Sequence, residues 1–306
     1  MTVETHIADD LEPGRQVRPR RPLGPRVFRW MATLAILIPA LWSASGLEFS
    51  PARLWEAFRP GGQVWGIVGA MVPPDLTSEG LGRTFGKVLE SLYIAWIGTI
   101  LGAVISFPLA FLGAKNLSPG LLSTAVRQLL NAIRAFPELL LAFIFIPMTG
   151  LGAWTGTLAV GLHSVGTLGK LSAEVIEGID RGPMEAIEAS GGRRVSQMRF
   201  GVLPQVFPTM VAYWLYRFEI NIRASAVIGV VGAGGVGAEL LNRLRFREFD
   251  RAGTVLLLTI LTVLVIDAIS GRVRRRIITG AWTGGFWARL SGRFAPRPDL
   301  AGAPPA

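Results

Sequence analysis

Cysteine is absent from this chain of 306 residues, and histidine occurs twice. Without cysteine there is no disulfide framework and no thiolate metal site. The two histidines, His6 and His163, lie far apart in the chain, so no histidine metal cluster is expected. Charge is also scarce. Only 17% of residues are charged, against about 25% in an average soluble domain. What fills the space is apolar: 50% of residues are hydrophobic and the mean hydropathy is +0.44. Several apolar runs approach the ~20 residues that a helix needs to cross a bilayer. The fold class expected is an all-α integral membrane protein.

The net charge is +10. A basic balance can mark a nucleic-acid binder. Here the arginines gather at the ends of apolar runs and in the two tails, as in a positive-inside membrane protein. Lipid, not nucleic acid, is the partner this implies.

Residues 1–25 hold Pro13, Gly14, Pro19, Pro22, Gly24 and Pro25 among Arg15, Arg18, Arg20 and Arg21, and read as a disordered tail. The run Trp30 to Leu41, followed by Ser43-Ala44-Ser45-Gly46, also has the outline of a cleavable signal peptide. An uncleaved first span, Val27 to Gly46, is the better reading, because the leading region is long and no soluble domain follows. Residues 47–84, with Pro51, Pro60, Pro73 and Pro74, read as a connection carrying a short amphipathic helix near Pro51 to Phe58. Further spans are expected at Val88–Leu112, Thr124–Met148 with a kink at Pro137, Trp154–Ile176, Val206–Val231 and Thr254–Ser270. The membrane core is thus expected over 85–271, and a basic tail over 272–306.

Six spans put both ends on one side. Arginines 15, 18, 20, 21, 26 and 29 at the start, and 272, 274, 275, 276, 289, 293 and 297 at the end, place that side in the cytoplasm. Against this pattern, Arg243, Arg245, Arg247 and Arg251 fall outside, partly offset by Glu239, Glu248 and Asp250.

The polar segment Glu185 to Pro204, EAIEASGGRRVSQMRFGVLP, lies between apolar runs and cannot lie in lipid. Glu185 to Arg199 is long enough for a helix of about four turns. Gly191 permits a turn or close packing, and Pro204 suits the first turn of the next helix. The spacing of Glu185-Ala186, Gly191 and Leu203-Pro204 resembles the cytoplasmic coupling loop of ABC-importer permeases.

From about Thr84 to Ile277 the chain resembles, more narrowly, the permease subunit of phosphonate ABC importers. The strings carrying this are NAIRAFPE from Asn131 to Glu138, HSVGTLGKL from His163 to Leu171, and RFEINIRAS from Arg217 to Ser225. Ile187 and Gly201 depart from the general loop pattern, where an alanine and a branched apolar residue are usual. The resemblance implies a type I importer in the bacterial inner membrane, with two copies of this chain and two ATP-binding cassette subunits. An extracytoplasmic phosphonate-binding protein would deliver the substrate. ATP and magnesium would be bound by the partner ATPase, and this chain would hold no cofactor. A phosphonate, phosphite or phosphate is the implied substrate. A same-architecture permease for methionine or a sulfonate is the alternative.

Two apparent nucleotide motifs are weak. Gly232, Gly234 and Gly237 match G-x-G-x-x-G, with Asp250 beyond, which would suit a nucleotide-using membrane enzyme. A Rossmann unit needs alternating strands and helices, whereas the runs here are span-length. Gly232, Gly234, Gly235 and Gly237 are better read as a non-helical break, and the resemblance makes them part of the outer gate. Gly169-Lys170 lacks the first glycine and the Ser or Thr of a phosphate loop.

Ionisable residues inside spans are expensive and require a reason. Glu219 and Arg223, four apart, suit an intrahelical pair. Asn221, Arg223 and Ser225 are expected to line a pathway that favours an anion. His163 and Lys170, seven apart on one face, are further pathway candidates, although a lone intramembrane histidine is more often a packed hydrogen-bonding residue than a ligand, and a simple Lys170–Glu174 pair is the alternative for Lys170. Glu138, after Pro137, suits the start of a helix beyond the kink.

Overall fold

The computed structural model describes residues 24–46 and 50–278. Among them there is no β-strand. The chain divides into two compact units that part between Trp65 and Gly66.

The first unit holds α1 (Gly24–Gly46), α2 (Pro51–Phe58) and the start of α3 (Gln63–Ala70). Along α1, Phe28, Trp30, Ile36, Leu41 and Trp42 are all exposed, as suits a lipid-facing helix. The Oγ of Ser50 caps α2 by accepting from the Arg53 N–H, and Pro51 stands in the first turn. Both elements lie where the hydropathy pattern puts them.

The second unit contains α4 (Ser78–Gly113), α5 (Gly120–Ala135), α6 (Glu138–Thr149), α7 (Ala153–Glu177), α8 (Gly182–Ala189) and α9 (Arg194–Ser196). A π turn over Gln197–Val202 leads into α10 (Leu203–Ile228). A second π turn, Gly229–Ala233, precedes α11 (Gly235–Arg245) and α12 (Phe249–Ile278).

Two boundaries differ most from expectation. The second span starts ten residues early, because Thr77 caps α4 through its Oγ and Glu79 complements the first turn. The last span runs past Ser270, since Arg275 and Arg276 suit a helix C-terminus. Of the leading tail expected over residues 1–25, Gly24 and Pro25 belong to α1 and residues 1–23 lie outside the described residues, as does the rest of the basic tail, over 279–306.

Helices α1, α4 and α12 are each long and apolar enough to cross a membrane. So are two broken pairs, α5 with α6 bent by 88°, and the α10 segment with α11 bent by 56°. Helix α7 has 25 residues but a more polar sequence, and most of its glycine, serine and alanine faces are buried against its neighbours. With α7 in the middle, this set is consistent with six crossings.

Pro137 does more than kink the third span. It caps a new helix and turns the chain nearly at right angles. Below the break, α5 packs on α7 through glycines. A Cβ on Gly166 would come within 2.8 Å of the Arg134 amide, and one on Gly169 within 2.6 Å of Leu130. Small residues are what allow helix backbones to approach this closely in a membrane.

Candidate functional site

Three regions concentrate the candidate residues: the segment expected to act as a lever, at one end of the bundle, a network at its middle and a glycine break near the other end.

The lever is α8. It carries no buried residue, and Glu185, Ala186 and Glu188 face outward. Its base is fixed. Met184 packs against Gly201 and beside Met198 and Val202. The Gln205 side chain bridges the loop, accepting from the Asp180 N–H at 3.1 Å and donating to the Asp180 carbonyl at 3.1 Å. Glu177 accepts from the Lys115 N–H at 2.7 Å and pairs with Arg127. The expected four-turn helix from Glu185 to Arg199 is not formed. The Gly192 N–H bonds the Ile187 carbonyl and the Gly191 N–H bonds that of Glu188, which is a Schellman stop. Gly191 adopts φ +78, a left-handed conformation that side-chain-bearing residues avoid. Leu203 and Pro204 open α10, as expected of Pro204.

The middle network joins four helices. Asn221 on α10 is fully buried, and its Nδ2 donates to Thr99 Oγ1 on α4 at 2.8 Å and to Ser164 Oγ on α7 at 3.0 Å. Arg217 Nε donates to the same Ser164 Oγ at 3.0 Å, and its fork reaches Glu138 at the start of α6. His163 joins from α7: its Nδ1 donates to the Phe136 carbonyl at 3.0 Å and its Nε2 lies 3.6 Å from the Glu138 carboxylate. A carbonyl only accepts, so Nδ1 carries the proton. The packed hydrogen-bonding reading of His163 is therefore what the geometry shows.

Glu219 and Arg223 do not pair with each other. Arg223 reaches Asp267 at 3.1 Å and Glu219 lies 3.5 Å from Arg274, both on α12. Asp267 and Arg274 are seven apart on one face of α12. That helix runs antiparallel to α10 here, so each charge meets its opposite across the interface. Ser225 is buried and bonds back to the Ile222 carbonyl. Lys170 is half-buried and, among the described residues, has no ion pair with Glu174 or any other carboxylate.

The glycine break holds Gly232, Gly234 and Gly235 at positive φ. A Cβ on Gly234 would strike the Glu90 carboxylate, and the Val236 N–H donates to Ser91 Oγ at 2.9 Å. Helices α4 and α7 fill the place a pyrophosphate would need, so the dinucleotide reading fails on geometry. Beyond the break, Arg243 pairs with Glu239 and Glu248, and Arg251 with Asp75 at 3.4 Å. The Thr77 N–H and hydroxyl, with Arg251, hold the Asp75 carboxyl below its ordinary range. The hydrogen bond from Arg243 does the same for Glu248.

Sequence reasoning missed Thr99, Ser164 and Arg217 as network members. The available signal was small polar residues recurring inside apolar runs, which hydropathy averages away.

Residues 106–279 match the family of binding-protein-dependent transport system inner membrane components. The chain belongs to this family. It is a permease component, not an enzyme. The phosphite transport system permease protein PtxC of Stutzerimonas stutzeri is 40% identical over 210 residues, covering 68% of this chain and 76% of PtxC. The phosphate-import permease protein PhnE of Mycolicibacterium smegmatis is 35% identical over 269 residues, or 88% of this chain. This permease spans 49% of that longer relative. Among solved structures, the inward-facing MetNI methionine ABC transporter superposes with a TM-score of 0.59 at 21% identity, over 66% of this chain and 99% of the MetNI chain. That likeness gives the fold, the transmembrane domain of a type I ABC importer.

Proposed function

We propose that this permease imports a phosphorus oxyanion, phosphite, a phosphonate or phosphate, driven by a separate ATPase. The observation that carries the reading is the 40% identity to a phosphite permease over two thirds of the chain.

In this reading two copies assemble with two ATP-binding cassette subunits and an extracytoplasmic phosphonate-binding protein, in the inner membrane, with both termini cytoplasmic. The exposed face of Glu185 and Ala186 docks on the ATPase. Gly191 stops the lever, and Leu203-Pro204 passes its displacement into α10. The Asn221 network holds α10 to α4 and α7, while Glu219 and Arg223 hold it to α12. Ser225 and Gly232, Gly234, Gly235 and Gly237 form the hinge that lets α10 and α11 move apart as the gate opens. His163 fixes the break in the third span, and Lys170 lies along the same face. ATP and magnesium remain in the partner.

Growth tests the substrate class. A phosphorus-starved strain carrying the complete transporter should grow on phosphite, 2-aminoethylphosphonate or phosphate, and lose that growth when this gene is deleted. Growth unaffected by the deletion, with methionine or sulfonate uptake lost instead, would overturn the substrate and leave the architecture.

A further inference from the structure

Arg134 ends the last turn of α5, one step before the 88° break. Its backbone amide lies against Gly166, near the middle of the 25-residue α7. Ser164, His163, Arg217, Asn221 and Glu138 lie at the same level, since they bond one another. Arg134 therefore stands near mid-depth of the bundle.

The charges there do not balance. Glu138 is the only carboxylate bonded into the network, and Arg217 takes it. Arg134 is exposed and, among the described residues, has neither an ion-pair nor a hydrogen-bond partner. Asn131, one turn earlier on the same face, is also exposed and unbonded. An uncompensated guanidinium at this depth cannot face lipid without a large cost. It has to face water or an anion. Toward the other end of the bundle, Arg83, Arg243 and Arg251 are matched to Glu79, Glu239, Glu248 or Asp75, whereas Arg245 and Arg247, on the loop side of α11, are exposed there without an ion pair among the described residues.

We propose that Arg134 and Asn131 form a transit site for the oxyanion at the α5–α6 break. This rests on the proposed import of a phosphorus oxyanion. The planar fork of Arg134 offers two parallel N–H donors to two oxygens of a phosphonate, phosphite or phosphate, which lysine cannot match. Asn131 adds an amide N–H. His163, bonded to the Phe136 carbonyl, fixes the break and with it the end of α5 that carries Arg134. Arg217 does not touch the anion. It is 5% exposed and serves by neutralising Glu138, which would otherwise repel it.

The test uses the full transporter in proteoliposomes, with its ATPase and binding protein, and measures uptake of phosphite and 2-aminoethylphosphonate. Arg134→Gln should lower uptake by about tenfold or more, the loss of a charge-assisted hydrogen bond. Arg134→Lys keeps the charge without the fork and should fall between. Both variants should elute from size exclusion as wild type does, because the side chain is exposed. Wild-type uptake in Arg134→Gln would overturn the site and leave the proposed function standing. Dissociation of the Arg134→Gln assembly would also overturn it, assigning Arg134 to a carboxylate on a second copy. If wild type itself imports neither compound, the functional reading fails and the site with it.

Discussion

Replacing Arg217 by methionine isolates what holds the middle of the bundle together. Methionine nearly matches the stem in volume, so the change removes charge and hydrogen bonds more than packing. Two interactions go: the ion pair with Glu138 and the bond to Ser164 Oγ. Breaking a buried pair by removing one partner costs about 3–5 kcal/mol. Glu138 retains 19% exposure, so the lower end, about 3 kcal/mol, applies. The lost Ser164 bond adds about 0.6 kcal/mol, the average for interhelical hydrogen bonds in a membrane. A cost of this size should lower the melting temperature by about 5–10 °C. The assay is thermal loss of the monodisperse size-exclusion peak in detergent. The double variant Arg217→Met with Glu138→Gln leaves no unpaired charge and should recover at least half of the loss. A single variant within 1 °C of wild type, by the scale just given, or a double variant no better than the single, would refute the reasoning.

The lever should be separable from stability. Gly191→Val forces a β-branched residue to φ +78, at a local cost of about 1–2 kcal/mol, and should abolish substrate-stimulated ATP hydrolysis while the ATPase still copurifies. The pair Arg223–Asp267 is 48% and 40% exposed, so Asp267→Asn should change stability by less than about 1 kcal/mol, read by the same thermal assay. Acid should loosen the region around Asp75 and Glu248. Their folded pKa values lie below the ordinary carboxylate range, so the stabilisation is full above about pH 4 and is lost as pH falls through the depressed values. Hydrogen-exchange protection at residues 75–80 and 243–252, corrected for intrinsic rates, should drop in that window; flat protection would contradict the assignment.

Most helices were legible because a membrane imposes a strong pattern: long apolar runs, arginines at their ends, proline and glycine at their breaks. Pro137 and the Gly232–Gly237 segment announced the two bends, and the amphipathic pattern from Pro51 to Phe58 announced α2. What hydropathy could not give was pairing. Glu219 and Arg223 have the spacing of an intrahelical pair, yet each is taken by α12, a fact that depends on how two distant helices are set against each other. Thr99 and Ser164 are single small residues without periodic signal, and only the approach of α4, α7 and α10 makes them partners of Asn221. The lever was too long on paper because Gly191 was read as permitting a turn or close packing along it, whereas with Gly192 it completes a Schellman stop.

The central claim is that this chain is the permease of a phosphorus-oxyanion importer. The most direct measurement is the ATPase rate of the transporter reconstituted with its ATPase and binding protein, with and without phosphite, 2-aminoethylphosphonate, phosphate and methionine. The account predicts stimulation by at least one phosphorus oxyanion and none by methionine, with the stimulation lost on replacing Glu185 and Gly191. Stimulation by methionine alone would contradict it.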